Sequence, residues 1–291
     1  MKKTLTLVAM ALALSTNAFA WPDKTITLVV PFPAGGATDA LARTLTPKLQ
    51  EKLKQNVIVD NKAGATGTIG AGFVKRAPAD GYTLLVTSLG PLVIAPYLLA
   101  KVPYEASKDF DYLTVAVQAP NVLVVPASSP YKTMAELIAA EKANPGKLTF
   151  ASAGTGTSDH LSAELFWLQS GTSGLHVPYK GAAPAITDLL GGQVDAAFQN
   201  INNVLPHITA GKLRVLAIAA PKRSPLLPNV PTLTESGVKD ADATSWQGVV
   251  APKGLPPAVK AQIHAALMDA LADPAVKQKF AEVGFEMVAN T

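Results

Sequence analysis

Two glycine-rich turns hold the residue types that could bind a charged group in this chain. In residues 29–39 an apolar run passes through Gly35 and Gly36 directly into an amphipathic helix. Such glycines let the backbone approach a ligand closely, and the helix that follows presents unpaired N–H groups and the positive end of its dipole. An ordinary tight connection is the alternative reading. Residues 152–160 repeat the arrangement, and this repetition favours two sites for a carboxylate or phosphate.

Neutral groups would have to hold that anion, because neither turn contains an arginine. Several hydrogen bonds together can orient a carboxylate in a closed, water-poor cleft. Lys180 is a candidate cationic partner, with a solvated surface lysine as the alternative. The candidate donors are backbone N–H groups and the hydroxyl groups of Thr38, Ser88, Ser152, Thr155 and Thr157.

Three acidic residues lie near these turns. Asp39 and Asp159 each fall in the first turn of a predicted helix, where a favourable interaction with the helix dipole is the simpler explanation. Asp195 comes early in a predicted strand. It can either contact an amine or hydroxyl of a ligand or accept backbone hydrogen bonds, and the sequence leaves both readings open.

Catalytic motifs are incomplete. Gly67 and Gly72 have the outer spacing of a P-loop, but Phe73 replaces its lysine. Ser152 lacks the first glycine of a hydrolase nucleophile elbow, although a hydrolase that uses Ser152 and His160 remains an alternative. The chain has no cysteine, and its four histidines lack metal-ligand spacing. We therefore predict a binding protein rather than an enzyme, without cofactor or metal.

The first twenty residues read as a secretion signal. Lys2 and Lys3 precede an apolar run at 5–14, and a small-x-small site at 18–20 predicts cleavage after Ala20. We expect the mature chain to be exported to the periplasm. Without the two lysines, 23 of the 25 basic residues remain beside 21 acidic ones, which gives a net charge of +2. The basic residues form no run. The charge pattern therefore argues against nucleic acid as a binding partner.

From residue 26 onward, short β-rich runs alternate with helical patterns, which predicts an α/β fold of mostly parallel sheets flanked by helices. One helix at 39–54 repeats leucine at every fourth position, and another carries Leu161, Leu165 and Leu168 on one face. The segment 113–126, interrupted by Pro120, reads as a crossover, and 246–251 as a returning strand. We predict one lobe from residues 21–119 plus 245–291, a second from 120–244, and a ligand cleft between them.

Eight motifs spread over the chain carry a resemblance: WPDK at 21–24, PFPAGG at 31–36, PADGYTLL at 78–85, NPGKL at 144–148, SAGTG at 152–156, HVPYKG at 176–181, LLGGQVD at 189–195, and SW at 245–246 with AP at 251–252. They resemble those of the tripartite tricarboxylate transporter substrate-binding proteins, also called Bug receptors. The likeness covers essentially the whole mature chain.

The resemblance implies a monomeric periplasmic receptor with the two-lobe, type II periplasmic-binding-protein fold. Such receptors close on a small organic molecule, usually a carboxylate, and deliver it to membrane permease subunits. In the family, the first turn and the loop matching 64–67 grip a carboxylate through backbone N–H groups and ordered water. The turn matching 152–157 closes from the second lobe. The residues implicated are Phe32, Ala34, Gly35, Gly36, Thr38, Asp39, Ala65, Gly67, Ser152, Thr155, Gly156, Thr157 and His160, with Ser88, Asp195, Asn200 and Asn203 at the far end of the ligand.

The chain departs from the family at two places. Its loop at 62–67 reads KAGATG where relatives often have RPGAGG, so Thr66 can add a hydroxyl. Family members usually continue with a further helical stretch beyond the position of Thr291. The residues suit mono-, di- and tricarboxylates, aromatic acids and amino acids alike. A periplasmic sensor that presents its liganded form to a signalling partner remains an alternative function.

Overall fold

The computed structural model describes residues 21–290, and the predicted signal segment lies outside them. These residues form two α/β lobes, each built on one sheet, and the two sheets share one long strand. The strands are β1 (Ile26–Val30), β2 (Val57–Asn61), β3 (Thr83–Ser88), β4 (Phe110–Pro126), β5 (Thr149–Ser152), β6 (Leu175–Pro178), β7 (Ala196–Asn200), β8 (Leu213–Ala219), β9 (Thr244–Pro252) and β10 (Glu286–Met287).

The helices cover the faces of these sheets. A 3₁₀ turn at Ala65–Gly67 and a π turn at Gly90–Ile94 accompany them. The helices are α1 (Ala37–Leu53), α2 (Thr68–Lys75), α3 (Ala95–Leu98), α4 (Ala106–Asp109), α5 (Met134–Ala143), α6 (Ser158–Ser170), α7 (Ala182–Leu190), α8 (Ile201–Thr209), α9 (Pro257–Ala272) and α10 (Pro274–Val283). Within residues 21–290, none is both long and apolar enough to cross a membrane.

Both sheets are mixed. In the first, β2, β1 and β3 are parallel, and β9 runs antiparallel between β3 and β4. In the second, β6, β5 and β7 are parallel, and β4 runs antiparallel between β7 and β8. The parallel strands of each sheet point their carboxyl ends toward the helix starts that follow, which is where ligands of open α/β sheets bind.

Strand β4 passes from one sheet to the other without a break, although Pro120 predicted an interruption. Its residues 110–120 pair with β9, and its residues 121–126 pair with β8. Pro120 pairs opposite Thr244 at the start of β9, where the first sheet ends. A residue without a backbone N–H is tolerated at such an edge, so the crossover is one continuous strand.

The core follows the leucine repeat in α1 but not in α6. Leu41, Leu45 and Leu49 are buried against the first sheet. In α6, by contrast, the expected leucine face is wrong, because Leu168 is 75% exposed. Phe166 and its neighbour Trp167 are buried instead, and each packs on Phe150 with ring centroids 6.3 and 5.1 Å apart. Aromatic rings bury more apolar area than leucine does, and they decide which face points inward.

Helix α2 contains two glycines, Gly70 and Gly72. A Cβ at Gly70 would lie 2.8 Å from the Cα of Pro31. Glycine therefore lets this helix pack directly on the backbone of the first turn. The helix and the turn are held together at the edge of the cleft.

Candidate functional site

The two glycine-rich turns face each other across the cleft between the lobes. They enclose a cavity of about 520 Å³, including space open to solvent. The first lobe lines the cavity with Phe32, Pro33, Gly36, Ala37, Thr38, Ser88, Ser245 and Gln247, and the second with Ala153, Thr157, Ser158, Asp159, Gly181, Ala182, Gln199, Asn200 and Asn203.

Four helices begin at this cavity. Their N-cap residues are Gly36 for α1, Thr157 for α6, Gly181 for α7 and Asn200 for α8, and none makes a side-chain capping bond. Each helix start therefore presents unpaired N–H groups and a partial positive charge to the cavity. Among residues 21–290, no lysine, arginine or histidine lines it, and Asp159 is the one ionisable side chain that does. An anion here would be held by backbone N–H groups and neutral side chains.

Asp39 holds the first turn in place. Its buried carboxylate accepts hydrogen bonds from the Gly35 backbone N–H (3.0 Å), Arg43 Nε (2.8 Å) and Asn61 Nδ2 (2.9 Å). Burial alone would raise the pKa of Asp39, but the hydrogen bonds from these three groups outweigh it and hold that pKa below its usual value. The Asp39 oxygens are thus occupied, and the side chain does not line the cavity.

Asp159 holds the second glycine-rich turn in place. Its Oδ2 accepts from the Ala153 backbone N–H at 2.5 Å and lies 3.4 Å from Gln199 Nε2. Burial raises the pKa of Asp159, and the hydrogen bonds that its carboxylate accepts offset this effect only in part. Unlike Asp39, Asp159 also lines the cavity.

Ser152 is paired with His176, not with His160 as the hydrolase alternative required. The Ser152 Oγ lies 2.6 Å from His176 Nε2, and the His176 ring stacks on His160 at 3.9 Å. Burial, with the nearby His160, lowers the pKa of His176 to about 4. Ser152 is only 1% exposed, and its Oγ accepts from the Gly154 backbone N–H. These groups lie behind the turn and support it.

His160 also acts from behind the turn. Its Nδ1 accepts a hydrogen bond from the Gly156 backbone N–H at 3.0 Å. His160 and Ser152 therefore hold the backbone of the second turn in position, and neither side chain lines the cavity.

A second cavity adjoins the first on the other side of Phe32 and Pro33. It has an empty volume of about 850 Å³, again including open space, and it holds the predicted Ala65, Gly67 and Thr155. Lys180 lines this second cavity, so the candidate cation is not at the helix starts of the first one.

A hydrogen bond joins the lobes at the rim. Thr66 Oγ1 donates to the Thr155 carbonyl oxygen at 2.6 Å. Thr66 has φ 55° and ψ 31°, a left-handed conformation that is rare for a β-branched residue. The hydroxyl that distinguishes this loop from the family pattern thus bridges the cleft.

We expect Thr66→Val to shift the equilibrium between open and closed lobes toward the open form by about two- to tenfold, the effect of losing one net hydrogen bond. Valine keeps the β-branch, so the backbone cost at this φ is unchanged. The chain has no cysteine, and cysteines introduced at the exposed Glu51 and Lys142 can carry dyes for energy transfer between the lobes. Thr66→Ser retains the hydroxyl and serves as the matched control. A valine variant that closes as readily as the serine variant would show that this bond does not hold the lobes together.

The predicted site residues fall into three groups. The first cavity contains Phe32, Gly36, Thr38, Ser88, Thr157, Asn200 and Asn203, and the second contains Phe32, Ala65, Gly67 and Thr155. The residues that line neither cavity are Ala34, Gly35, Asp39, Ser152, Gly156, His160 and Asp195.

The structure supports the interpretation in which Asp195 accepts hydrogen bonds from the protein rather than contacting a ligand. It precedes β7, at the strand end opposite Asn200. Its Oδ2 accepts from the Thr149 backbone N–H (2.8 Å) and from Thr149 Oγ1 (2.7 Å). Asp195 thus joins β7 to β5 and is not brought to the cavity.

Sequence reasoning missed several lining residues. Ser245 and Gln247 lie on β9, where alternate residues face the same side. Polar side chains alternating in an otherwise apolar strand were the available signal. Gly181 and Ala182 begin α7 directly after Lys180. The other missed residues are Pro33, Ala37, Ala153, Ser158 and Gln199. No group of three or more potential metal ligands occurs within the part of the chain that the structure describes.

Known proteins are similar to this chain in sequence and in fold. The model of the family described as "Tripartite tricarboxylate transporter family receptor" matches residues 41–291. A protein of Pseudomonas sp. (strain P51), described as a UPF0065 protein in the tcbD-tcbE intergenic region, is 41% identical over 287 residues, covering 96% of this chain and 85% of its own. Protein BugT of Bordetella pertussis is 40% identical over 281 residues, covering 96% and 86%.

Solved structures agree in fold. The periplasmic binding protein BugD superposes with a TM-score of 0.89 at 37% identity, covering 93% of this chain and 90% of its own. Rpa4515 of R. palustris, solved with adipate, gives 0.89 at 35% identity, covering 92% and 89%. MatC of Rhodopseudomonas palustris, solved with bound malate, gives 0.87 at 33% identity, covering 92% and 91%. The chain therefore belongs to the tripartite tricarboxylate transporter receptor family, whose members include the Bug proteins.

Proposed function

We propose that this protein is an exported receptor that captures one small organic carboxylate between its lobes. The observation that carries the proposal is the convergence of four uncapped helix N-termini on a cavity that no cationic side chain of the described residues lines. Each helix start contributes about 0.3–1 kcal/mol toward an anion near it. Its related proteins Rpa4515 and MatC were solved with adipate and malate, which supports the same ligand class here.

Capture would work by closure of the two lobes about the strands that connect them. The boundary we propose separates residues 21–119 plus 245–291 from residues 120–244, so that β4 and β9 form the hinge. Closure would bring the helix starts of the second lobe onto a carboxylate already held by the first. A site that excludes water strengthens each of these hydrogen bonds.

The proposed location is the periplasm, after cleavage behind Ala20, and the proposed partner is the membrane permease of a tripartite tricarboxylate transporter. The family description and the predicted signal segment support this assignment. A receptor of this kind carries its ligand without transforming it, and we propose that it does so as a monomer. The permease would receive the ligand from the closed form.

A thermal-shift screen of residues 21–291 tests the proposed function. The protein is unfolded, dialysed and refolded first, so that any ligand from expression is removed. The panel contains mono-, di- and tricarboxylates, aromatic acids and amino acids. A true ligand at a hundredfold excess over its Kd adds about 2.7 kcal/mol to the free energy of unfolding, which raises Tm by about 5–11 °C. A well-folded protein that responds to no member would contradict carboxylate capture.

A further inference from the structure

One polar atom in the cavity lacks a hydrogen-bond partner. Gln247 is 1% exposed and lies on β9 with its side chain at the cavity. Its Nε2 donates to Ser245 Oγ at 3.0 Å, but its Oε1 has no partner in the described structure. Leaving a buried carbonyl oxygen unpaired is unfavourable, and native proteins rarely do so. The missing partner must be a donor.

A second acceptor lines the cavity from the other lobe. Oδ2 of Asp159 accepts hydrogen bonds from Ala153 and Gln199, and a carboxylate has about four acceptor positions. Within the part of the chain that the structure describes, no cationic side chain lines the cavity to compensate its charge. A buried carboxylate without a cation is costly, and a donor on the ligand would reduce that cost.

The cavity thus offers two kinds of contact. The helix starts present donors that suit a carboxylate, whereas Gln247 and Asp159 present acceptors that a plain carboxylate cannot satisfy. We propose that the ligand carries a hydroxyl or a protonated amine in addition to its carboxylate, and that Gln247 Oε1 and Asp159 select this donor. The inference rests on the proposed function and narrows its substrate class to hydroxy- or amino-substituted acids.

Matched acids test this selection by calorimetric titration. Each set keeps one carbon skeleton and changes a single substituent from hydrogen to hydroxyl to amine: propionate, lactate and alanine; succinate, malate and aspartate; glutarate, 2-hydroxyglutarate and glutamate. In the skeleton that fits, we expect one donor-bearing member to bind at least about tenfold more tightly than the unsubstituted member, the effect of one satisfied buried acceptor.

Two variants identify the selecting groups. Gln247→Met keeps the side-chain length without the amide, and it should remove the preference for the donor-bearing acid over the unsubstituted acid. Gln278→Met makes the same change on the exposed face of α10, where Gln278 bonds only Glu282, and should change neither. Asp159→Asn should weaken the amine-bearing acid about tenfold and the hydroxy acid little, which distinguishes the two donors.

Three results would count against the inference, in different ways. Equal or tighter binding of the unsubstituted acid would overturn it while carboxylate capture stands. An equal loss for all three members in Gln247→Met would show that the amide donates to the carboxylate instead, and would also overturn it. If no acid in these sets or in the thermal-shift panel binds, the proposed function fails and the inference falls with it.

Discussion

Gly36→Val should lower the affinity for the captured carboxylate at least about a hundredfold, or ~2.7 kcal/mol, with little effect on folding. A Cβ at Gly36 meets no atom within 4 Å, and Gly36 lines the cavity at the start of α1. Its φ of −88° and ψ of 174° are extended backbone that valine adopts readily. The two valine methyl groups would therefore occupy space that the anion needs, and would cover the N–H groups of the first helical turn.

Calorimetric titration with the best acid from the screen measures this loss, and a thermal melt without ligand shows whether the variant is folded. Gly36→Ala provides a graded control, since a single methyl group should cost less affinity than the isopropyl group. Unchanged affinity in a folded Gly36→Val protein would remove the first turn from the site.

Asp39→Ala should destabilise the folded protein by about 2–4 kcal/mol, because it leaves the Gly35 N–H, Arg43 and Asn61 without their shared acceptor. The turn that precedes α1 then loses its anchor, so carboxylate affinity should fall as well. Urea unfolding followed by circular dichroism measures the change. Asp60→Ala is a suitable control, since the carboxylate of Asp60 is 40% exposed and pairs with Lys62 at the surface; it should cost less than about 0.5 kcal/mol.

The stability difference between the wild-type protein and Asp39→Ala should depend on pH. The folded pKa of Asp39 is depressed below the ordinary value of 3.8. Its contribution is therefore complete above that ordinary value and is lost as pH falls through the lower folded pKa. The stability difference between wild type and Asp39→Ala should be constant near neutral pH and shrink in acid. A difference that does not shrink below pH 3.8 would mean that the ionised form of Asp39 is not what holds the turn.

The sequence predicted features that depend on local pattern. The leucines of α1 recur at every fourth residue, and they are the residues that the first sheet buries. The two glycine-rich turns can be recognised in the sequence because a helical pattern follows each of them directly. Both turns do reach the same cavity, and alternating strand and helix patterns correctly predicted an α/β fold.

Features that depend on tertiary contacts were not predictable in this way. Glycine inside a helix is unfavourable, and the reason for Gly70 in α2 becomes visible only in its close approach to Pro31. The buried face of α6 is set by Phe150 on a neighbouring strand, which no helical period reveals. Gln247 is distant in sequence from both turns, and only the pairing of β9 beside β3 carries it to the cavity. Asp195 lies in a recognisable motif, yet its role is to join two strands.

The crystal structure of residues 21–291 with the tightest acid from the screen tests the central claim most directly. We predict that the ligand lies between the lobes, with its carboxylate oxygens about 3 Å from backbone nitrogen atoms in the first turns of α1, α6 or α7. The first such atoms are those of Ala37, Ser158 and Ala182. A carboxylate held outside this cavity, or bound mainly by lysine or arginine side chains, would contradict capture by the helix N-termini.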